Sequence, residues 1–156
     1  MIKITQITPG FAVTGALLPD QIAEVAALGF KSIVSNLPDG ESPRHPSSAE
    51  EAQLAAKAGL GFRHIPVTKA EALSERVAED MREALGGLEG PVLAHCASGL
   101  RSGLAWAAAA ALSEPAARVV TTAVAAGIRL EPILDDLHAL HDPARAGDTP
   151  GPLRTG

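Results

Sequence analysis

Short apolar or β-branched runs alternate along this chain with longer stretches whose apolar positions recur three and four residues apart. Residues 2–7 and 11–14 read as two strands around the turn Thr8-Pro9-Gly10. Residues 20–28 read as a helix, opened by Pro19 and Asp20 and closed by Gly29. Residues 31–35 form a β-branched strand, followed by a polar, proline-rich loop over 38–47. Ser47 or Ser48 then caps a helix to Ala58, with Glu50 and Glu51 at capping-box spacing. A strand over 62–67 follows. Leu73, Val77, Met81, Leu85 and Leu88 define the core face of the next helix, for which Thr68 and Glu71 are candidate caps. Residues 91–95 read as a buried strand, and three helices over 100–112, 114–126 and 131–140 complete the pattern.

Alternating strands and helices predict an α/β fold: a mostly parallel central sheet with helices on both faces. One domain is expected over 1–140, with a flexible tail over 141–156, where Pro, Gly, Arg and Asp concentrate. In such sheets ligands sit beyond the carboxyl ends of the strands. Three loops are therefore expected to converge: Asn36 to Glu41, Thr68 to Glu71, and the one that begins at Cys96.

Cys96 is the only cysteine, and its setting carries the chemistry. Val92-Leu93-Ala94 leads into His95-Cys96-Ala97-Ser98-Gly99-Leu100-Arg101-Ser102 at the start of an alanine-rich helix. Backbone N–H groups and the helix dipole attract anions there. Gly99 permits a positive φ. Arg101 adds a fork-shaped cation suited to phosphate, sulfate or sulfite, and Ser102 is placed to donate to the sulfur. These features together predict a Cys96 thiolate at neutral pH. Cys96 is read as nucleophile, Arg101 and the N–H groups of Ala97, Ser98, Gly99, Leu100 and Arg101 as anion binders, and Ser102 as the group that tunes the thiolate.

His-Cys-x-x-Gly-x-Arg-Ser resembles the active-site loops of cysteine phosphatases and rhodaneses. Four residues separate Cys96 from Arg101, as in the sulfurtransferase version; phosphatase loops usually have five. His95 is the more phosphatase-like feature, where it supports the loop backbone. Three motifs extend the resemblance in order: Phe30-Lys-Ser-Ile-Val-Ser-Asn-Leu-Pro-Asp-Gly-Glu41, Ala58-Gly-Leu-Gly-Phe-Arg-His-Ile-Pro-Val67 and Gly90-Pro-Val-Leu-Ala-His-Cys96. Together they resemble the bacterial beta-lactamase-hydrolase-like family over about residues 4–140. That resemblance implies a fold like the dual-specificity phosphatases and either sulfurtransferase or phosphatase activity. It also implies a persulfide dioxygenase partner, which would act in trans. The family usually has Arg where this chain has Leu37 and Ala97, and Thr in place of Leu100, so two expected cations are missing.

A phosphatase needs an acid for its leaving group. In phosphatases of similar fold an aspartate follows the strand that 62–67 resembles, but Thr68 and Lys69 stand there. Asp39 and Glu41, from the neighbouring loop, are the candidate substitutes, although a Pro-Asp-Gly turn also accounts for Asp39. Sulfur transfer through a Cys96 persulfide needs no acid when the leaving group is a weak base. The sequence therefore leans toward a sulfurtransferase, with a cysteine phosphatase as the alternative and a non-catalytic anion- or persulfide-binding module as a third reading.

Composition narrows the remaining classes. Aromatic residues are 3% of the chain, tyrosine is absent and the net charge is −5, which disfavours nucleic-acid binding. No run is long and apolar enough for a membrane span, and no basic start precedes a long apolar stretch, so no secretory signal is expected. One cysteine allows no internal disulfide and suits a cytoplasmic setting. It also leaves any persulfide to be relieved by an external thiol acceptor. No cofactor or metal is expected: His138 and His141 lack a third ligand, His45 has no partner in view, and His64 reads as packed within its strand. The expected substrate is a small anion or a persulfide.

Overall fold

The computed structural model describes residues 2–156. Five strands form one sheet: β1 (Thr5–Thr8), β2 (Phe11–Thr14), β3 (Ser32–Ser35), β4 (Gly61–His64) and β5 (Val92–His95). Their spatial order is β1-β2-β5-β3-β4. Only the β1–β2 pair is antiparallel; β2–β5, β5–β3 and β3–β4 are parallel. This is the mixed, mostly parallel sheet flanked by helices that the pattern predicts.

Strand alternation divides the interior into two layers. Phe11, Val13, Val34, Val92 and Ala94 face one layer, and Ala12, Ile33 and Leu93 face the other, as a two-residue side-chain period requires. Helices α1 (Gln21–Ala27) and α2 (Ser48–Lys57) cover the second layer with Ile22, Val25 and Ala55. Helices α3 (Glu75–Gly87), α4 (Leu100–Ala111), α5 (Ala116–Ala125) and α6 (Leu134–Leu140) cover the first. The central strand β5 is buried at all four positions, because neighbours flank it on both edges and helices on both faces. Helix α4 is almost as enclosed: of its twelve residues only Leu100 and Leu104 are not buried. Its alanines let the surrounding helices approach closely while keeping high helix propensity.

Element ends differ from the sequence reading in several places. Strand β1 starts at Thr5 and β4 ends at His64, each shorter than expected. Thr68 and Glu71 bracket a short 3₁₀ turn, Lys69–Glu71, and do not open α3; Ser74 caps that helix, accepting from the Val77 N–H at 3.2 Å. The segment expected to be one helix over 131–140 opens with a 3₁₀ turn containing Pro132 before α6 begins.

The tail departs furthest from expectation. Residues 141–156 pack on the body, and Leu153 is wholly buried in the first layer. The Trp106 indole N–H donates to the Pro152 carbonyl at 3.2 Å, and the Thr8 hydroxyl donates to the same oxygen at 3.1 Å. Ser113 and Thr149 share a buried hydrogen bond of 2.6 Å, and Arg82 pairs with Asp148. A buried indole needs an acceptor, and among these sparse apolar residues one leucine is enough to anchor the segment. Leu153→Ala is therefore expected to lower stability by about 2–5 kcal/mol in chemical denaturation. A loose tail would give a change within about 0.5 kcal/mol.

Candidate active site

Strand β5 ends at His95, and the chain turns through Cys96–Gly99 into α4. Gly99 has φ +95°, a left-handed value that favours glycine. This turn aims its N–H at the Cys96 Sγ, 3.0 Å away. The end of β2 supports the loop from the side. Ala16 N–H donates to the Ala97 carbonyl at 3.3 Å. Gly15 passes so close that a Cβ there would lie 3.1 Å from the Ala97 oxygen. Cys96 is fully buried, whereas Ala97, Ser98 and Leu100 are exposed.

Arg101, the second residue of α4, reaches back to two other strand ends. Its Nη1 donates to the Val67 carbonyl at 2.8 Å and to Glu41 Oε2 at 3.0 Å, while Nη2 donates to Glu41 Oε1. The expected convergence of the loops after β3, β4 and β5 is thus present in one guanidinium. Hydrogen bonding from Arg101 holds the Glu41 carboxyl below its usual range, against a small opposing effect of burial. The same bond raises Arg101, and Cys96 adds a smaller push in that direction.

The other candidate residues have different partners. The Ser102 hydroxyl donates to Asn36 Oδ1 at 2.8 Å, so its proton goes to the amide and not to the sulfur. Asp39 turns toward α2 and accepts from the Ser48 N–H at 2.7 Å and the Ser48 hydroxyl at 2.8 Å. Those bonds, the hydroxyl's first, lower its pKa. His95 points into the protein, with Nε2 2.6 Å from Glu51 Oε2 and both side chains fully buried.

Sequence reasoning missed three residues here. Asn36 is wholly buried and links all three strand ends. Its N–H donates to the His95 carbonyl at 2.7 Å, its carbonyl accepts from Val67 N–H at 3.0 Å, and its Nδ2 donates to the Ile65 carbonyl at 2.9 Å. Its place at the carboxyl end of a β-branched strand is the only sequence signal. Glu51 reads as half of a capping box, but Ser47 and Glu50 form that box alone. His45, which has no partner in the linear sequence, stacks obliquely on His95 with ring centres 4.9 Å apart. Burial and the neighbouring His95 lower its pKa, with Glu51 opposing.

Beside the Cys96 loop lies a largely apolar cleft of about 610 Å³, bordered by Ser98, Leu100, Ile128 and Gln21, with Lys3 and Arg129 at its wall. No helix among the described residues is long and apolar enough to cross a membrane.

Residues 3–113 match the family described as beta-lactamase hydrolase-like protein, phosphatase-like domain. The chain belongs to that family. A beta-lactamase hydrolase-like protein of Xylella fastidiosa is 34% identical over 101 residues, 65% of this chain. The chain spans only 23% of that relative's length. A Neisseria meningitidis protein solved as a candidate phosphatase shares 32% identity with a TM-score of 0.73, over 88% of this chain and 97% of that one. The core catalytic domain of a PP-IP phosphatase from S. cerevisiae shares the fold alone, at 13% identity and a TM-score of 0.59 over 89% of this chain and 85% of that one. The fold of this beta-lactamase hydrolase-like domain is therefore phosphatase-like, as the resemblance implies, and is consistent with cysteine-based catalysis in general.

The Glu41–Arg101 pair gives a pH signature. A carboxyl depressed on folding stabilises above its unfolded value, here 4.5, and loses that contribution as pH falls through the lower folded value. Glu41→Gln is expected to lower the melting temperature near neutral pH, and the gap from wild type is expected to close below pH 4.5. A gap independent of pH would show that the pair contributes no linkage.

Proposed function

We propose that this domain is a cysteine-dependent phosphomonoester hydrolase in which Cys96 is the nucleophile and Arg101 binds the transferred group. The observation that carries this reading is the guanidinium beside the Cys96 loop, already occupied by the carboxylate of Glu41. A carboxylate on a guanidinium fork sits where a planar or tetrahedral oxyanion would bind. A phosphate entering the loop would take over that fork and release Glu41 next to the reacting atoms. The phosphatase-like family and the Neisseria meningitidis relative support this reading over the sulfur chemistry toward which the sequence alone leans.

In the first step the Cys96 sulfur attacks phosphorus, forming S–P and breaking the ester P–O bond; the leaving oxygen takes a proton. In the second, water breaks S–P and gives its proton to a base. Glu41, once displaced, loses the Arg101 hydrogen bonds that favour its charged form, takes up a proton from solvent, and is the group placed to deliver that proton to the leaving oxygen and to recover one from the attacking water. Asp39 is the lesser candidate, since both its oxygens are held by Ser48. N–H groups of residues 97–101 and Arg101 would stabilise the equatorial oxygens. The apolar cleft with Lys3 and Arg129 suits an anionic substrate with an apolar body.

A second reading, sulfurtransferase, is favoured by one specific observation. The four-residue gap between Cys96 and Arg101 makes a tighter ring than phosphatases usually have. In that chemistry Cys96 takes a sulfane sulfur as a persulfide and passes it to an external thiol. A persulfide dioxygenase would then consume the product.

The test is to incubate the protein with p-nitrophenyl phosphate, thiosulfate and glutathione persulfide, following product and intact mass. Nitrophenol release with a transient gain of about 80 Da on Cys96 is expected for a phosphocysteine route. A gain of about 32 Da with sulfite release would instead establish sulfur transfer. Cys96→Ser is expected to abolish turnover while retaining anion binding, and Arg101→Lys to reduce kcat by about 10²-fold or more. Turnover that survives Cys96→Ser would defeat both readings, and binding with no turnover in wild type would establish an anion-binding module.

A further inference from the structure

We propose that His45, Glu51 and His95 form a binding site for a divalent transition metal, zinc by its donor set, beneath the Cys96 loop. The three side chains offer ligand atoms that all lie within 4.8 Å of one another. Glu51 and His95 are wholly buried, and the His45 side chain is 5% exposed.

The tautomer of His45 is set by its own backbone. Its Nδ1 lies 2.7 Å from the Pro46 carbonyl, which can only accept. A neutral His45 therefore carries its proton on Nδ1 and presents a lone pair on Nε2. That lone pair faces Glu51 Oε1 at 3.6 Å, too far for a hydrogen bond. Neither atom has a hydrogen-bond partner among the described residues. Two acceptors thus confront each other in a dry interior, an arrangement that costs free energy until something positive lies between them.

A metal ion meets that requirement in size as well as charge. Tetrahedral zinc with bonds of about 2.0–2.1 Å holds its ligand atoms roughly 3.3 Å apart. The Nε2–Oε1 separation of 3.6 Å is near that spacing. His95 Nε2, at 2.6 Å from Glu51 Oε2, would retreat by less than an ångström's scale of side-chain motion to join them. The Nδ1–H to carbonyl bond of His45 is also the usual outer support of a metal-bound imidazole. Two imidazoles and a carboxylate suit zinc and cobalt better than magnesium or calcium.

The ligands come from three places: the loop that carries Asp39 and Glu41, the first turns of α2, and the residue before Cys96. An ion here would fasten the Glu41 loop to the end of β5. The site stands whichever chemistry Cys96 performs.

The experiment is to strip the full chain with a chelator, then titrate Zn²⁺ by calorimetry and Co²⁺ by visible absorption. One ion per chain is expected in wild type and in Cys96→Ser. Glu51→Gln and His45→Ala are each expected to weaken binding by more than the ~10–100-fold that loss of an outer partner costs. His45 lies in the loop between β3 and α2, outside any helix or strand, so His45→Ala, with its fold checked by circular dichroism, decides the matter even if Glu51→Gln misfolds. Absence of stoichiometric binding in wild type would overturn the proposal. So would binding unchanged in His45→Ala, or binding lost in Cys96→Ser, which would assign the ion to the thiol.

Discussion

The guanidinium of Arg101 is where the strand ends of this fold are tied together. It is nine-tenths buried at the start of a nearly enclosed helix, and its charge is met by Glu41 and the Val67 carbonyl. An uncompensated cation there would carry a large desolvation penalty. The loops after β3 and β4 must therefore come to it, beside the Cys96 loop at the end of β5. Asn36 makes the neutral counterpart of this tie, bonding to residues at the ends of β4 and β5 and to Ser102 on α4. The site is thus held by polar bonds to rigid elements, and its mouth is left to the exposed residues Ala97, Ser98 and Leu100.

Much of this architecture was legible in the linear pattern. Val92-Leu93-Ala94 announces a central strand, the alanine run announces α4, and Cys96 to Arg101 marks the anion loop, because each depends on neighbours in sequence. What stayed hidden depends on distant partners. Glu51 follows a serine cap at a spacing that suits capping, and nothing local says that His95, 44 residues on, will claim its carboxylate. Ser102 looks free to serve the sulfur until Asn36, 66 residues earlier, takes its proton. The tail has the composition of a mobile segment, yet Leu153 and the Pro152 carbonyl find a vacancy beside Trp106 that composition cannot reveal.

Membership in the beta-lactamase hydrolase-like family and the phosphatase-like fold bring two chemistries close together. Both would use the same sulfur, the same guanidinium and the same N–H groups. They differ in whether a proton must be delivered to the leaving group. The loop after β3 is therefore where the two chemistries would part, since it holds Asp39 against α2 and Glu41 against Arg101. A loop with two acids in different hydrogen-bonded settings separates their roles by environment.

The docking of the tail gives the molecule an optical property. Trp106 is the only tryptophan, tyrosine is absent, and the indole stacks on Phe11 at 6.2 Å while bonding to Pro152. Tryptophan fluorescence from this protein thus comes from a single position. That position senses the packing of β2, α4 and the last residues of the chain at once. Undocking of the tail alone would hydrate the indole and shift its emission before the sheet is disturbed, so an unlabelled sample can distinguish local release from global unfolding.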